Sequence, residues 1–287
     1  MKKTDDGMIN VSVIISFYNR IDYLKLVLAG LERQSFPFFE IIIADDGSDQ
    51  KVVSEIEQLS RGISFKLTHL WHEKKGFRKN KILNKSISAS GSDYIIFIDG
   101  DCVPHPHFIE EHFENRGEGF CLTGRRVNLS KKYTGLLTPE NIISGFIEHK
   151  KIKLILDGIL GESFDVEKGL YFKNEFLRNF FNKKKRGLLG CNFSIHKKDL
   201  LSINGFDERY EAPSIGEDTD IQYRLEKIGI RIASLNNIAV QYHLYHKLQE
   251  RPQKNLDLFN QLKRNGEYFT PYGIKKMGNS LNSSSGF

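Results

Sequence analysis

Cysteine is scarce: Cys102, Cys121 and Cys191 are the only three in 287 residues, and no two stand in Cys-x-x-Cys spacing. So sparse and odd a set excludes a disulfide framework and a structural zinc site, and leaves the three as small core residues. Long apolar runs are also missing. None approaches the roughly 18 to 20 residues needed to cross a bilayer. The opening Met-Lys-Lys-Thr-Asp-Asp-Gly carries acids where a secretory leader would start its apolar stretch. The expectation is a cytoplasmic protein. No internal repeat is present, which excludes a solenoid or propeller.

What is present fits a soluble globule: 39% hydrophobic, 27% charged and 11% aromatic residues. The net charge of +6 is unevenly spread, because Lys131 to Gly187 holds 12 basic and 7 acidic residues. A local surplus of this kind points to an anionic surface such as lipid headgroups. It does not point to nucleic acid, whose partners carry a broader basic face.

Short β-rich runs alternate with amphipathic stretches over the first 125 residues, the pattern of βα units around a mainly parallel sheet. Strands are expected at Val11 to Phe17, Glu40 to Ala44, Phe65 to Trp71 and Asp93 to Ile98. Helices are expected at Tyr23 to Gln34, Val52 to Ser60 and Lys79 to Ala89, where apolar residues recur three and four apart. Ligands of such sheets collect at the carboxyl ends of strands, so the residues just after each run matter most. From about Ser130 the chain turns Lys- and Phe-rich and reads as a helical insertion. Regular order resumes with a strand at Leu188 to Ile195, helices near Lys197 and Glu217, and strands near Arg231 and Ala239.

One such strand ends in Phe97-Ile-Asp-Gly-Asp-Cys102. In an extended segment residues i and i+2 point the same way, so Asp99 and Asp101 can converge on one divalent cation, with Gly100 permitting close backbone approach. Mg²⁺ and Mn²⁺ favour such oxygen ligands and keep positions open for phosphates. The same triplet also serves as an acidic turn. Another strand runs into Ala44-Asp-Asp-Gly-Ser-Asp49, which brings Asp45 and Asp46 to the same sheet edge. Four acids on one rim need donors or a cation. A uracil imide and ribose hydroxyls would supply donors to Asp45 and Asp46; a solvated turn is the alternative.

The succession Val11-Ser-Val-Ile-Ile-Ser-Phe-Tyr-Asn-Arg20, Ala44-Asp-Asp-Gly-Ser48, Glu73-Lys-Lys-Gly-Phe-Arg-Lys-Asn-Lys81 and Asp99-Gly-Asp101 resembles the family 2 glycosyltransferases, inverting enzymes of the nucleotide-diphospho-sugar transferase (GT-A type) fold. Gly205-Phe-Asp-Glu208 and Gly216-Glu-Asp-Thr-Asp-Ile-Gln-Tyr-Arg-Leu225 resemble the carboxyl-terminal half of galactosyl- and N-acetylgalactosaminyltransferases, including chondroitin-polymerase-like enzymes. The resemblance implies an α/β fold in a single domain over 1–277. Within it, 8–125 would be a nucleotide-binding half, 130–187 a basic helical insertion and 188–250 an acceptor and metal half, with a disordered tail at 278–287.

Residue by residue, the resemblance implies that Ser16, Tyr18, Arg20 and Asp45 or Asp46 hold the uridine. Arg78 and Lys81 would meet the nucleotide or diphosphate, beside Asp99 and Gly100. Asp99 and Asp101 would form the metal-binding Asp-x-Asp, with His243 or His246 of Gln241-Tyr-His-Leu-Tyr-His246 as a further ligand; histidines at a core edge are the alternative. Asp218 would be the general base and Glu217 an acceptor ligand. That pair also suits plain helix capping. An inverting transfer independently needs a base for the acceptor hydroxyl and a cation, Mn²⁺ or Mg²⁺, for the leaving diphosphate. The sequence departs from the galactosyltransferases at Ala212-Pro-Ser-Ile215, where a tryptophan and small residues would stand, so sugar choice does not transfer.

The expected activity is therefore transfer of a sugar (Gal, GalNAc, Glc or GlcNAc) from a UDP-sugar to a hydroxyl of a glycan or lipid-linked glycan in bacterial surface polysaccharide synthesis. The insertion, with Phe176, Phe180 and Phe181 followed by Lys183 to Arg186, would hold the enzyme peripherally at the inner membrane leaflet. A sugar nucleotidyltransferase would need a Gly-rich, Lys-bearing loop after the first strand, where Ser16-Phe-Tyr-Asn-Arg20 stands instead. A non-catalytic sugar-binding protein would let Asp99, Asp101 and Asp218 decay, and all three are present.

Overall fold

Val11-Ser-Val-Ile-Ile-Ser-Phe17 is buried along almost its whole length, as a strand must be when helices cover both faces of its sheet. In this computed structural model, which describes residues 9–174, 176–177, 187–212, 217–247 and 253–276, it forms β1. The expectations for Phe180, Phe181, Lys183 to Arg186 and the 278–287 tail lie outside the described residues. The other strands are β2 (Phe39–Asp45), β3 (Lys66–Trp71), β4 (Tyr94–Asp99), β5 (Cys102–Pro104), β6 (Phe120–Thr123), β7 (Arg125–Asn128), β8 (Asn192–His196), β9 (Arg231–Ser234) and β10 (Val240–His243). The helices are α1 (Ile21–Glu32), α2 (Gln50–Ser60), α3 (Lys79–Ala89), α4 (Phe108–Glu114), α5 (Lys131–Thr134), α6 (Pro139–Ile143), α7 (Phe146–His149), α8 (Lys151–Ile159), α9 (Lys197–Ser202), α10 (Glu217–Lys227) and α11 (Gln253–Asn265).

A seven-stranded sheet runs β3-β2-β1-β4-β8-β6-β9, and a three-stranded sheet runs β5-β10-β7. The first four strands of the large sheet are parallel; β8 alone is antiparallel to its neighbours β4 and β6. Alternation along the strands splits the apolar residues between two cores. Val13, Ile15, Ile41, Ile43, Ile96 and Ile98 join α1 and α2 on one face. Ile14, Ile42, Ile95 and Phe97 join α3, α9 and α10 on the other. The three cysteines are buried and free.

One expectation changes in detail. The strand expected from Leu188 begins only at Asn192, because Asn192 N donates to Leu189 O and closes a turn over Gly190 and Cys191. The helical insertion is, among its described residues, a set of short helices interrupted near Gly135, Gly145 and Gly161.

Beside the apolar core shared by α3, α9 and α10 and the β4–β8 pairing, polar contacts also join the two halves. Asn84 on α3 exchanges two hydrogen bonds with the backbone of Phe206, at 2.9 and 2.8 Å, and Asn80 Nδ2 donates to Asp207 O at 2.7 Å. On α10 the buried Arg224 donates twice to Asp220 Oδ2, at 2.8 and 2.6 Å, and its Nη1 donates to the carbonyls of Ile203 and Gly205, both at 2.8 Å. Burial lifts the Asp220 carboxyl above the usual carboxylate range even beside Arg224, so the pair fixes position at a desolvation cost.

Removing one partner strands the other charge in the interior. Asp220→Ala should therefore lower stability by about 3 to 5 kcal/mol in urea denaturation. A loss under about 1 kcal/mol would show that Arg224 is not held by this pair.

Candidate active site

The parallel register sets the rim: Ser16 of β1 lies opposite Asp99 of β4, and Phe17 lies opposite Asp45 of β2. Gly100 N donates to Ser16 O at 2.8 Å, and Asp46 N to Phe17 O at 2.9 Å. A Cβ on Gly100 would sit 3.0 Å from Phe17 Cδ2 and 3.2 Å from Ser16 O, so a side chain there would press on β1 and force it to give by a few tenths of an ångström.

Asp99 and Asp101 do not share a direction. β4 ends at Asp99, and Gly100 and Asp101 form a turn in place of continued strand, so the i, i+2 argument from extended geometry fails here. Asp99 Oδ1 faces Lys79 Nζ at 3.2 Å. Asp101 Oδ2 faces His246 Nε2 at 3.1 Å and His243 Nε2 at 3.5 Å, and the two Nε2 atoms are 3.1 Å apart. Among the described residues, Asp101, His243 and His246 form the one group of three or more His, Cys, Asp or Glu side chains close enough together to hold a metal, and Asp99 is not part of it. Both histidines enter the cluster, where the sequence left the choice between them open.

β10 carries His243 against Cys102 of β5, and Leu244 N donates to Asp101 O, so the small sheet brings the three ligand atoms together. They fit a cation. Ligand bonds of about 2.0 to 2.2 Å place neighbouring ligand atoms about 3 Å apart. His246 Nδ1 lies 2.9 Å from Lys247 O, which suits it as donor and leaves Nε2 directed at Asp101. Hydrogen bonding to Asp101 raises the His246 pKa above its ordinary value, and the two imidazoles hold the half-buried Asp101 carboxyl below the carboxylate range against the effect of its desolvation.

Asp45 and Asp46 receive from the protein the donors that the sequence analysis assigned to a nucleotide. Asp45, 0% exposed, takes Ser48 N and Oγ on one oxygen and His69 Nε2 on the other. Asp46 binds His72 Nε2 at 2.8 Å, Lys74 Nζ at 3.0 Å and Arg78 N at 3.1 Å. These carboxylates thus fix the loops that border the rim. Tyr18 is exposed, with Lys74 Nζ 3.7 Å from its ring centroid. Arg20 is engaged by Asp22 and stacks on Tyr23. The Arg78 side chain donates to Glu73 O, and Lys81 is half-buried on α3.

Asp218 stands in the first turn of α10, where the helix dipole favours a carboxylate. Its Oδ1 accepts from Thr219 N at 2.8 Å, and Oδ2 lies 3.4 Å from Gly190 N. With Ser16, Lys79, Asp99 and Gly190 it lines a cavity of about 10 Å³, room for about one water. Glu217 precedes it on the helix.

The sequence reading missed Lys79, which takes the place beside Asp99, and the pair His69 and His72. Their spacing at the end of β3 was the available signal. Arg126 was missed as well; its Nη1 lies 3.3 Å from Cys191 Sγ and 3.8 Å from Cys102 Sγ, behind the two aspartates.

The family described as "Glycosyl transferase family 2" matches residues 12–188, and that described as "N-terminal domain of galactosyltransferase" matches 172–247. The chain is 26% identical over 260 residues to the chondroitin synthase of Escherichia coli, covering 87% of this chain and 35% of that protein. It is 26% identical over 188 residues to the GalNAc(5)-diNAcBac-PP-undecaprenol beta-1,3-glucosyltransferase of Campylobacter jejuni, covering 62% of this chain and 58% of that one. The chain thus spans about a third of the first of these relatives and somewhat over half of the second. Staphylococcus aureus TarS 1-349 in complex with UDP-GlcNAc superposes with a TM-score of 0.54 at 18% identity, over 90% of this chain and 65% of that one. The fold is GT-A-like, a mostly parallel sheet flanked by helices.

Protons and cations compete for His246 Nε2, so Mn²⁺ affinity measured by calorimetry should rise as pH increases through the raised His246 pKa. Without metal the sign reverses: the His246–Asp101 contribution to stability is complete below the ordinary histidine value of about 6.5 and lost as pH climbs through the folded value. Asp101→Ala should abolish Mn²⁺ binding, and His243→Ala and His246→Ala should each weaken it about tenfold or more. Wild-type affinity in both histidine variants would remove them from the site.

Proposed function

The chain belongs to glycosyl transferase family 2, and from that premise we propose that it transfers a sugar from a UDP-sugar to a hydroxyl of a growing bacterial glycan with inversion at the anomeric carbon. The observation that carries this reading is the shared lining of one cavity by Ser16, Lys79 and Asp99, at the carboxyl ends of parallel strands, and by Asp218 across from them. Asp218 and the rim of the parallel strands thus open onto the same space.

In this reading the uridine rests on the rim at Ser16 to Arg20, with Tyr18 as its exposed aromatic surface. Asp45 and Asp46 act through the loops they hold. Asp99, paired with Lys79, and Gly100 border the diphosphate, with Arg78 and Lys81 on the same side. Asp101, His243 and His246 would hold the cation, which when bound would offset negative charge growing on the leaving diphosphate. Two imidazoles with one carboxylate suit Mn²⁺ better than Mg²⁺, which prefers oxygen ligands throughout. Asp218 accepts the proton of the acceptor hydroxyl as that oxygen attacks, and Glu217 orients the acceptor. TarS, whose structure holds UDP-GlcNAc, supports a UDP-linked donor. The name of the Campylobacter jejuni relative supports a lipid-linked acceptor.

Incubation with UDP-Gal, UDP-GalNAc, UDP-Glc and UDP-GlcNAc should release UDP from one of them in an Mn²⁺-dependent way. Asp218→Asn keeps size and capping but removes basicity, so kcat should fall about 10²-fold or more while donor affinity stays near wild type. Collapse of donor affinity with kcat spared would make Asp218 a binding residue, and a product of retained configuration by NMR would contradict the single displacement. UDP binding with no turnover on any donor would leave a sugar-binding protein of the same fold.

A further inference from the structure

The insertion exposes an apolar surface that the sequence analysis did not assign. On α8, Ile152, Ile155, Leu156 and Ile159, with Leu160 at its carboxyl end, all face solvent; Ile152, Ile159 and Leu160 are 75%, 74% and 78% exposed. At 3.6 residues per turn these five positions cover an arc of about 140°. The opposite side seats the helix: Leu154 is buried, and Gly158 packs so closely on Val166 that a Cβ would lie 2.7 Å from Val166 Cγ1. The helix therefore cannot roll its aliphatic stripe inward without losing that fit.

We propose that this outward face of α8 docks the protein on an anionic bilayer, the aliphatic side chains entering the headgroup boundary while Lys150, Lys151 and Lys153 meet lipid phosphates. The choice of occupant follows from charge and side-chain type. Lys151 and Lys153 fall on the two borders of the stripe, and none of the three lysines is in an ion pair among the described residues. The one acid within α8, Asp157, accepts a hydrogen bond from Ser163 Oγ at 2.5 Å. Protein interfaces are enriched in aromatic residues and depleted of lysine, whereas this face is aliphatic and lysine-bordered, the composition of a helix lying in a membrane surface. No helix among the described residues is long and apolar enough to cross a membrane, so contact through α8 would be peripheral. Docking stands on α8 alone. Its use, to bring the site to a lipid-linked acceptor, rests on the transferase reading.

The test is co-sedimentation of the full chain with vesicles of phosphatidylcholine alone or mixed with phosphatidylglycerol. Wild type should bind the anionic vesicles about tenfold or more better than neutral ones, and added salt should weaken that binding. Ile152→Ser with Leu156→Ser and Ile159→Ser should lose most of it, as should Lys150→Gln with Lys151→Gln and Lys153→Gln. The second variant keeps the test valid if the first fails to fold. Wild type without a preference for anionic vesicles, or both variants binding as wild type does, overturns the proposal. So does a wild-type dimer by sedimentation velocity that the serine variant converts to monomer with vesicle binding unchanged, since the stripe would then cover a second copy. UDP release with a short soluble acceptor is read in parallel: its loss in wild type with docking intact would sink the transferase reading and leave docking supported.

Discussion

The buried Arg224 guanidinium is the contact on which the arrangement of the site turns. It ties α10 to the carbonyls of Ile203 and Gly205, while Asn80 and Asn84 of α3 grip the backbone of the adjoining Phe206 and Asp207. α3 begins with Lys79 and α10 begins at Glu217 and Asp218. One polar junction thus fixes the distance between Lys79, at the start of α3, and Asp218, at the start of α10, which line the same cavity. Apolar packing is forgiving of small shifts along a helix; a guanidinium with four defined acceptor contacts is not. The energetic return is small because burying the charge costs nearly as much as pairing it recovers. What it secures is the geometry.

Gly100 then divides the labour of two aspartates that look equivalent. Because the chain turns there, Asp99 looks across the cavity toward α10 while Asp101 is handed to the small sheet and its histidines. Electrostatic demands separate along with them: Asp99 is countered by a fixed cation, Lys79, and Asp101 by two groups that can exchange a proton for a metal. Two carboxylates acting on one ion would repel each other whenever the ion left. The divided arrangement avoids that penalty.

Much of the parallel half was legible because central strands covered on both faces must be almost continuously apolar, so β1, β2 and β4 declare themselves and place the residues after them. α3 was located at Lys79 to Ala89, as found. Turn geometry was not legible: nothing in Asp-Gly-Asp says whether the strand continues, and the two carboxylates part only because it does not. Lys79 and Lys81 are separated by less than a helical turn, too fine a distinction for a pattern. The protein donors to Asp45 and Asp46 come from β3 and the loop beyond it, and pairing between β2 and β3 is needed to know that His69 approaches Asp45. The outward turn of the α8 stripe was not legible either, since the burial of Leu154 and the seat of Gly158 on Val166 are what show which way the helix faces.

The cluster formed by Asp101, His243 and His246 joins points that are far apart along the chain, one just after β4 and two at the end of β10. A cation gripping all three would act as a cross-link closing a very long loop. Closing a loop removes disorder from the unfolded ensemble in proportion to the logarithm of its length. Metal loading would therefore be felt across the whole tertiary fold, including the insertion enclosed between the ligands, as a slowing of global opening well beyond the neighbourhood of the ion.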